Sequence, residues 1–300
     1  MEKLFTSFIS IMVVGCSLGS LFGLVGLAYT VIINSCQLVN FGQGDFAMFG
    51  VAACWFLAYA LGLPLWIAFP AAVVLGGLLG MATERFMVTP LLKKQVHPFY
   101  PILGTMAVGT VIAGAVGVYT GFYWMQIKYF FGVEPLRFHG ISADSQGALI
   151  VLTTLALVIA YWLLLNKTRT GAALRATGFN REVSTLLGIQ TSRMVCLSFV
   201  ISSVIAAIAG ILCAPLSAFT ALDGLPLAVN GFIALIVGGW GNPYAAVLGG
   251  ITLGVIRALL TGYFSSTHAE LTTFVVLLFV LTIKPSGIYA GFMMPKTAKD

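Results

Sequence analysis

Charged residues are scarce in this chain. Asp, Glu, Lys and Arg make up 8% of its 300 residues, and the hydrophobic fraction is 59%. Ordinary globular domains carry about 25% charged residues, so this chain has too little polar side chain to cover a water-soluble globule. It is therefore predicted to use the lipid bilayer as its solvent. The apolar runs are continuous and do not alternate with polar residues, which favours membrane-spanning helices over strands.

The sequence also lacks the motifs of several enzyme classes. It contains no G-x-x-x-x-G-K-[ST] phosphate loop, no HExxH and no GxSxG, so it is not expected to hydrolyse ATP through a phosphate loop, and an intramembrane protease or other enzyme has little support. The five cysteines form no CxxC pair, and His97, His139 and His268 are isolated. We predict no catalytic residue, no metal site and no cofactor bound by this chain.

Nine apolar segments are present, at residues 8–33, 46–60, 65–88, 101–119, 148–165, 194–214, 227–237, 244–260 and 271–283. The second and seventh are short for a full span, and each adjoins a cluster rich in Gly and Asn, VNFGQGD and GGWGNPY. Such segments are typical of half-helices at a translocation pathway, although residues 238–243 fit a tight turn between ordinary spans equally well. The predicted fold is all-α and polytopic, with about 8–9 transmembrane segments in a single domain over residues 1–300.

Eleven of the 15 cationic residues fall in three clusters between or after these segments. They are Arg85, Lys93 and Lys94, then residues 166–193, then Lys284, Lys296 and Lys299. The positive-inside rule places all three in the cytoplasm, and the amino terminus faces outward if all nine segments cross. The net charge of +6 is explained by these loops, so no nucleic-acid partner is predicted. The longest outer loop, 121–146, is expected to contact a partner outside the cell membrane.

Residues 166–193 form a polar, basic island in the apolar chain. Within it Ala176, Phe179, Val183 and Leu186 recur at steps of three and four, which predicts one apolar face on a short helix. We expect this helix over about residues 171–187, with Gly188 as its C-terminal stop. An amphipathic helix between membrane spans, on the basic side, indicates a docking surface for a partner outside the bilayer.

A second polar stretch, NSCQLVNFGQGDF, separates the first two apolar segments. An ionisable group at membrane depth indicates a pathway or a paired structural charge. Asp45 is also explained as the N-cap of the helix that follows, and both interpretations stay open. The candidate pathway residues are Asn40, Gln43, Asp45 and Phe46.

The chain resembles a known family in five stretches that occur in the family's order. They are SLFGLVGLAYTVI with NFGQGDFAMFG, ERFMVTP, RATGFNREVSTLLGI, FIALIVGGWGNPYAAVLGG and KPSGIYAG. They resemble LivH-type permeases of branched-chain amino acid ABC importers, almost over the whole length. Gln43 departs from the family's pattern, because many members carry His there.

The resemblance implies a bacterial inner-membrane permease subunit, not an enzyme, that forms a translocation pathway for branched-chain or related amino acids. Two cytoplasmic ATPases, which bind ATP and Mg, would dock below, a second related permease would pair with the chain within the membrane lipid, and an extracytoplasmic solute-binding protein would deliver substrate. The coupling helix would contain Arg175, Phe179, Asn180, Glu182, Leu187 and Gly188. Urea, short amides or another small polar solute are the alternative cargo. An ion-coupled secondary transporter is less favoured, because the acidic residues lie at segment ends.

Overall fold

The computed structural model describes residues 2–94, 97, 99–130, 136–138, 141–263 and 269–290. These residues form twelve α-helices and one antiparallel hairpin of two short strands. The helices are α1 (Glu2–Cys36), α2 (Gln43–Trp55), α3 (Leu65–Thr83), α4 (Thr89–Lys93), α5 (Phe99–Thr120), α6 (Ser145–Lys167), α7 (Arg169–Phe179), α8 (Arg181–Leu186), α9 (Thr191–Cys213), α10 (Gly224–Gly238), α11 (Pro243–Tyr263) and α12 (Ala269–Ile283); the strands are β1 (Leu136–Phe138) and β2 (Ile141–Ala143). His139, His268, Lys296 and Lys299 lie outside the described residues, as does part of the predicted outer loop 121–146.

Six stretches of the described helices are long and apolar enough to cross a bilayer. They are Ser7–Cys36, Leu65–Lys93, Phe99–Thr120, Ser145–Lys167, Thr191–Cys213 and Pro243–Tyr263, and Gly224–Gly238 and Thr273–Ile283 are shorter apolar helices. Each of the nine predicted apolar segments lies on a helix, which confirms the all-α polytopic fold. The third segment is longer than predicted, because a π-helical turn at Glu84–Val88 joins α3 to α4 without a break.

The described residues form two compact units. The first contains the described parts of Met1–Thr30, Tyr129–Ala156 and Asn230–Asp300. In it α1 and α11 run antiparallel along three glycines, Gly15, Gly19 and Gly23. A Cβ atom at these glycines would lie 2.8, 2.6 and 3.0 Å from the Cα atoms of Val255, Ile251 and Val247. Small residues thus let the two backbones approach closely, as is common between helices in membranes.

The second unit contains Val31–Lys128 and Leu157–Val229. Helix α9 is its centre, since α2 and α3 both pack along it. Gly50 of α2 and Gly76 of α3 face the same residue of α9, Ala207. Gln43 lies beside Ser202 and Gly50 beside Ala207, so α2 and α9 run parallel. Ser203, which is close to Gly80, shows that α3 runs in the opposite direction.

Candidate functional site

Helix α2 begins halfway along α9. Its first residue, Gln43, is hydrogen-bonded to Ser202, which is the twelfth of 23 residues in α9. At 1.5 Å per residue, Ser202 is roughly 16 Å from the start of α9. The connection from α1 to α2, residues 37–42, therefore reaches the middle of the unit, and beyond Gln37, whose N–H still bonds to Ile33, it is not helical. Non-helical backbone at this depth in a membrane requires hydrogen-bond partners from the protein itself, because lipid offers none.

Polar side chains supply those partners. The Oδ1 atom of Asn40 accepts a hydrogen bond from the backbone N–H of Gly42 (3.1 Å), and its Nδ2 atom donates to Oε1 of Gln43 (3.1 Å). Gln43 Nε2 donates to the carbonyl oxygen of Ser202, and the Ser202 hydroxyl donates to Gln43 Oε1, both at 3.1 Å. Gln43 thus acts as donor and acceptor at once, and it fixes the start of α2 against α9.

Glycines surround the first turn of α2. A Cβ atom on Gly224, the first residue of α10, would lie 2.6 Å from Oδ1 of Asp45. One on Gly109, in the middle of α5, would overlap Oδ2 of the same carboxylate, and one on Gly44 would overlap the carbonyl oxygen of Gly224. The first turns of α2 and α10 therefore meet within the second unit, and the Asp45 carboxylate lies between α5 and α10.

The four predicted pathway residues differ in their surroundings. Asn40, Gln43 and Phe46 are almost fully buried, whereas Asp45 keeps part of its surface exposed. The N-cap of α2 is Gly42, and Asp45 is the third residue of the helix, so the N-cap interpretation of Asp45 is wrong. Its carboxylate is still near the positive end of the helix dipole. The role of all four residues in translocation stays a prediction.

Asp223 is a polar residue at this meeting point that the sequence analysis missed. Its Oδ2 atom accepts hydrogen bonds from the backbone N–H (2.6 Å) and the hydroxyl (2.7 Å) of Thr220, which fixes the turn directly before α10. An Asp that precedes Gly-Leu-Pro at the start of an apolar segment is a helix-start signal. Asp223 adjoins Gly224, which contacts Asp45, so the meeting point carries two carboxylates.

The segment before α10 is attached to the chain that follows α5. Met125 and Phe219 form an isolated antiparallel bridge, in which each backbone N–H donates to the other's carbonyl oxygen at 2.7 and 3.3 Å. Met125 and Phe219 are both buried, while Tyr123 and Trp124 just before them are exposed. The described start of the predicted outer loop therefore exposes two aromatic side chains, and directly after them its backbone is bound to the segment before α10 at a buried position.

The predicted coupling helix is two helices, so the prediction of one helix over residues 171–187 is wrong. Asn180 has extended backbone angles (φ −155°, ψ 110°) and separates α7 from α8. Its side-chain Oδ1 accepts a hydrogen bond from the backbone N–H of Val183 (3.0 Å) and caps α8. Asn favours caps over helix interiors for this reason. The predicted stop is confirmed, because Gly188 adopts φ +81°.

Four apolar residues at the end of α7, within α8 and directly after α8 are exposed, whereas Leu174 of α7 is buried. Phe179 is 93% exposed, Leu186 87% and Leu187 74%, and Val183 is about half exposed. We call these four residues the apolar surface of α7–α8. Large apolar side chains exposed together are typical of a binding surface. The predicted apolar face therefore exists, but the break at Asn180 divides it between two helices.

The other predicted coupling residues lie beside this surface. Arg175 is exposed and donates a hydrogen bond from Nη1 to Oδ1 of Asn166 (2.9 Å), which connects α7 to the end of α6. Glu182 is exposed in the first turn of α8, where an acidic residue is favoured. Both charges remain at the edge of the apolar surface of α7–α8, where they are accessible to a partner. Their role in coupling stays a prediction.

Comparison with known proteins identifies the family. A family model described as the permease component of branched-chain amino acid transport systems matches residues 11–283. The chain is 26% identical over 301 residues to the high-affinity branched-chain amino acid transport system permease protein LivH of Escherichia coli (strain K12), with 96% of this chain and 97% of that protein covered. It is 26% identical over 290 residues to the permease protein BraD of Pseudomonas aeruginosa, covering 91% and 93% of the two chains.

The similarity extends to a second kind of permease protein. LivM of Salmonella typhimurium is 24% identical over 291 residues, which are 88% of this chain and 67% of LivM. Proteins of this family are transport subunits and not enzymes. The match to the family model extends over nearly the full length of the chain. The chain therefore belongs to the family of permease components of branched-chain amino acid transport systems.

Proposed function

We propose that this chain is a permease subunit of an ABC importer and forms part of the translocation pathway for branched-chain or related amino acids. The substrate class is carried over from the names of its relatives. In the proposed arrangement the chain spans a bacterial inner membrane and pairs with a second permease related to LivM. It binds no cofactor of its own, and ATP with Mg is bound by two cytoplasmic ATPase subunits.

The observation that carries this proposal is the apolar surface of α7–α8. An importer subunit without a phosphate loop needs a partner to use ATP, and Phe179, Leu186 and Leu187 offer exposed apolar area for one. A helix that places its apolar face in a partner's groove is a common mode of recognition. Arg175 and Glu182 would set the register of docking through charge.

The proposed pathway passes the meeting point of α2 and α10. Half-helices with their first turns at membrane depth are the usual setting of transporter binding sites. The Asp45 carboxylate packs directly against Gly109 and Gly224, where the absence of side chains lets it lie against the two backbones. An amino acid carries an ammonium group that a carboxylate attracts, and a carboxylate that helix N-termini attract. The meeting point offers both kinds of group.

Replacement of Phe179 by Asp tests the docking of the ATPases. Burial of a Phe side chain contributes about 1.5–3 kcal/mol, so its loss should weaken ATPase binding about 10- to 100-fold. The measurement is the amount of ATPase that copurifies with the permease pair from detergent-solubilised membranes. Tyr123→Asp is the matched control, because Tyr123 is 76% exposed but lies after α5, away from α7–α8. If Phe179→Asp retains as much ATPase as Tyr123→Asp, the docking surface is elsewhere.

A further inference from the structure

The last turn of α7 packs directly against the backbone at the end of α1. A Cβ atom on Gly178 would overlap the carbonyl oxygen of Asn34 and lie 2.7 Å from its carbonyl carbon. Gln37, the first residue after α1, donates a hydrogen bond from Nε2 to the carbonyl oxygen of Gly178 (3.4 Å). The residue after Gly178 is Phe179, the most exposed member of the apolar surface of α7–α8. Phe179 of the apolar surface of α7–α8 is therefore next in the chain to Gly178, the residue that contacts the end of α1.

Gln37 also starts the connection to α2. Its backbone has φ +57°, a left-handed conformation that residues other than Gly rarely adopt. Such conformations persist only where the surrounding structure holds them, and they concentrate at functional positions. Its backbone N–H still donates to Ile33 at 2.9 Å, so α1 ends here. Three residues later Asn40 begins the hydrogen-bond network that fixes Gln43 and the start of α2.

We propose that Gly178 and Gln37 are positioning residues that transmit movement of α7–α8 directly to the α1–α2 connection. This inference rests on the proposed function, because the movement originates in the docked ATPases. The contact at Gly178 is between backbones, so no flexible side chain absorbs a displacement, and packed interiors transmit strain. The displacement then reaches Gln43 and Asp45 through six residues of chain. In the competing arrangement, movement passes only through the covalent connections of α7 to α6 and of α8 to α9.

The test uses the complete transporter in proteoliposomes: both permeases, the ATPases and the solute-binding protein, with radiolabelled leucine outside. The measured quantity is leucine uptake per ATP hydrolysed. Gly178→Ala adds one methyl group at the contact. Gln37→Gly removes the hydrogen bond, and it retains the backbone, because Gly adopts φ +57° without strain. Gly114→Ala is the matched control, since a Cβ atom there meets no atom within 4 Å.

Both variants should retain their ATPases and hydrolyse ATP, while uptake per ATP falls about fivefold or more, in the range of typical coupling energies between sites. If Gln37→Gly transports as much leucine per ATP as Gly114→Ala, the proposal is overturned, whether or not Gly178→Ala assembles. An assembled Gly178→Ala transporter with a normal ratio overturns it as well. If the proposed function itself is wrong, the result is different, because even the unmodified chain would then copurify without ATPase.

Discussion

The close packing of α2 on α9 gives a stability prediction whose sign depends on position. Replacement of a helix-interior Gly by Ala favours the helix by about 1 kcal/mol through intrinsic propensity. At Gly50 the new methyl carbon would lie 2.7 Å from both Cα and Cβ of Ala207. Ala207 has no rotatable side chain, so one backbone must shift. Such overpacking costs about 1–3 kcal/mol and offsets or exceeds the gain.

At Gly114 of α5 the same substitution meets no atom within 4 Å, so only the gain remains. The free energies of unfolding of Gly50→Ala and Gly114→Ala should therefore differ by about 1–3 kcal/mol, with Gly50→Ala less stable. At about 2–4 °C per kcal/mol the melting temperatures differ by several degrees. The assay heats the purified chain in detergent and monitors its unfolding through the labelling of thiols that become exposed, including the buried thiol of Cys54. Equal melting temperatures would refute the packing of Gly50 on Ala207.

Two further predictions concern the meeting point and the docking surface. Asp45→Asn removes the charge next to Gly109 and Gly224. Leucine uptake should fall about tenfold or more, the equivalent of about 1.4 kcal/mol, while the amount of the permease in the membrane stays unchanged. Undiminished uptake would contradict a role of Asp45 in the pathway. Asn180→Ala removes the cap of α8, worth about 1 kcal/mol, and favours one continuous helix, so less ATPase should copurify. Asn180→Ser keeps a capping oxygen and should bind normally, and equal binding by both variants would show that the break is unimportant for docking.

The sequence predicts the helices of this fold well, because hydrophobicity alone determines which segments enter a bilayer. The Gly and Asn clusters mark the two short apolar segments, and in the structure the second segment is α2 with the π-helical turn Phe56–Ala60 that continues it, while the seventh lies on α10. The break at Asn180 escaped prediction, because the apolar spacing from Ala176 to Leu186 continues across it. A capping side chain interrupts the helix there without any change in hydrophobic pattern.

The meeting of α2 with α10 was beyond sequence reasoning for a different reason. Gly44 and Gly224 contact each other although 180 residues separate them in the chain, and nothing local encodes the pairing. Asp45 is predictable as a candidate because it is an acid near membrane depth, whereas Asp223 is marked in the sequence only by a helix-start signal. Gln43 is a predicted pathway residue, and its three hydrogen bonds to Asn40 and Ser202 also hold the start of α2 against α9.

The backbone bridge between Met125 and Phe219 anchors the chain that leads into α10, while Gln37 and Gly178 anchor the chain that leads into α2. One anchor follows the end of α9, and the other lies on α7, before α9 begins. The two helices whose first turns meet at Asp45 are therefore held from opposite ends of the same central helix. A displacement at one end can shift one first turn while the other keeps its attachment. In the proposed transporter, such separate movement of the two first turns would let the pathway beside Asp45 change on one side at a time.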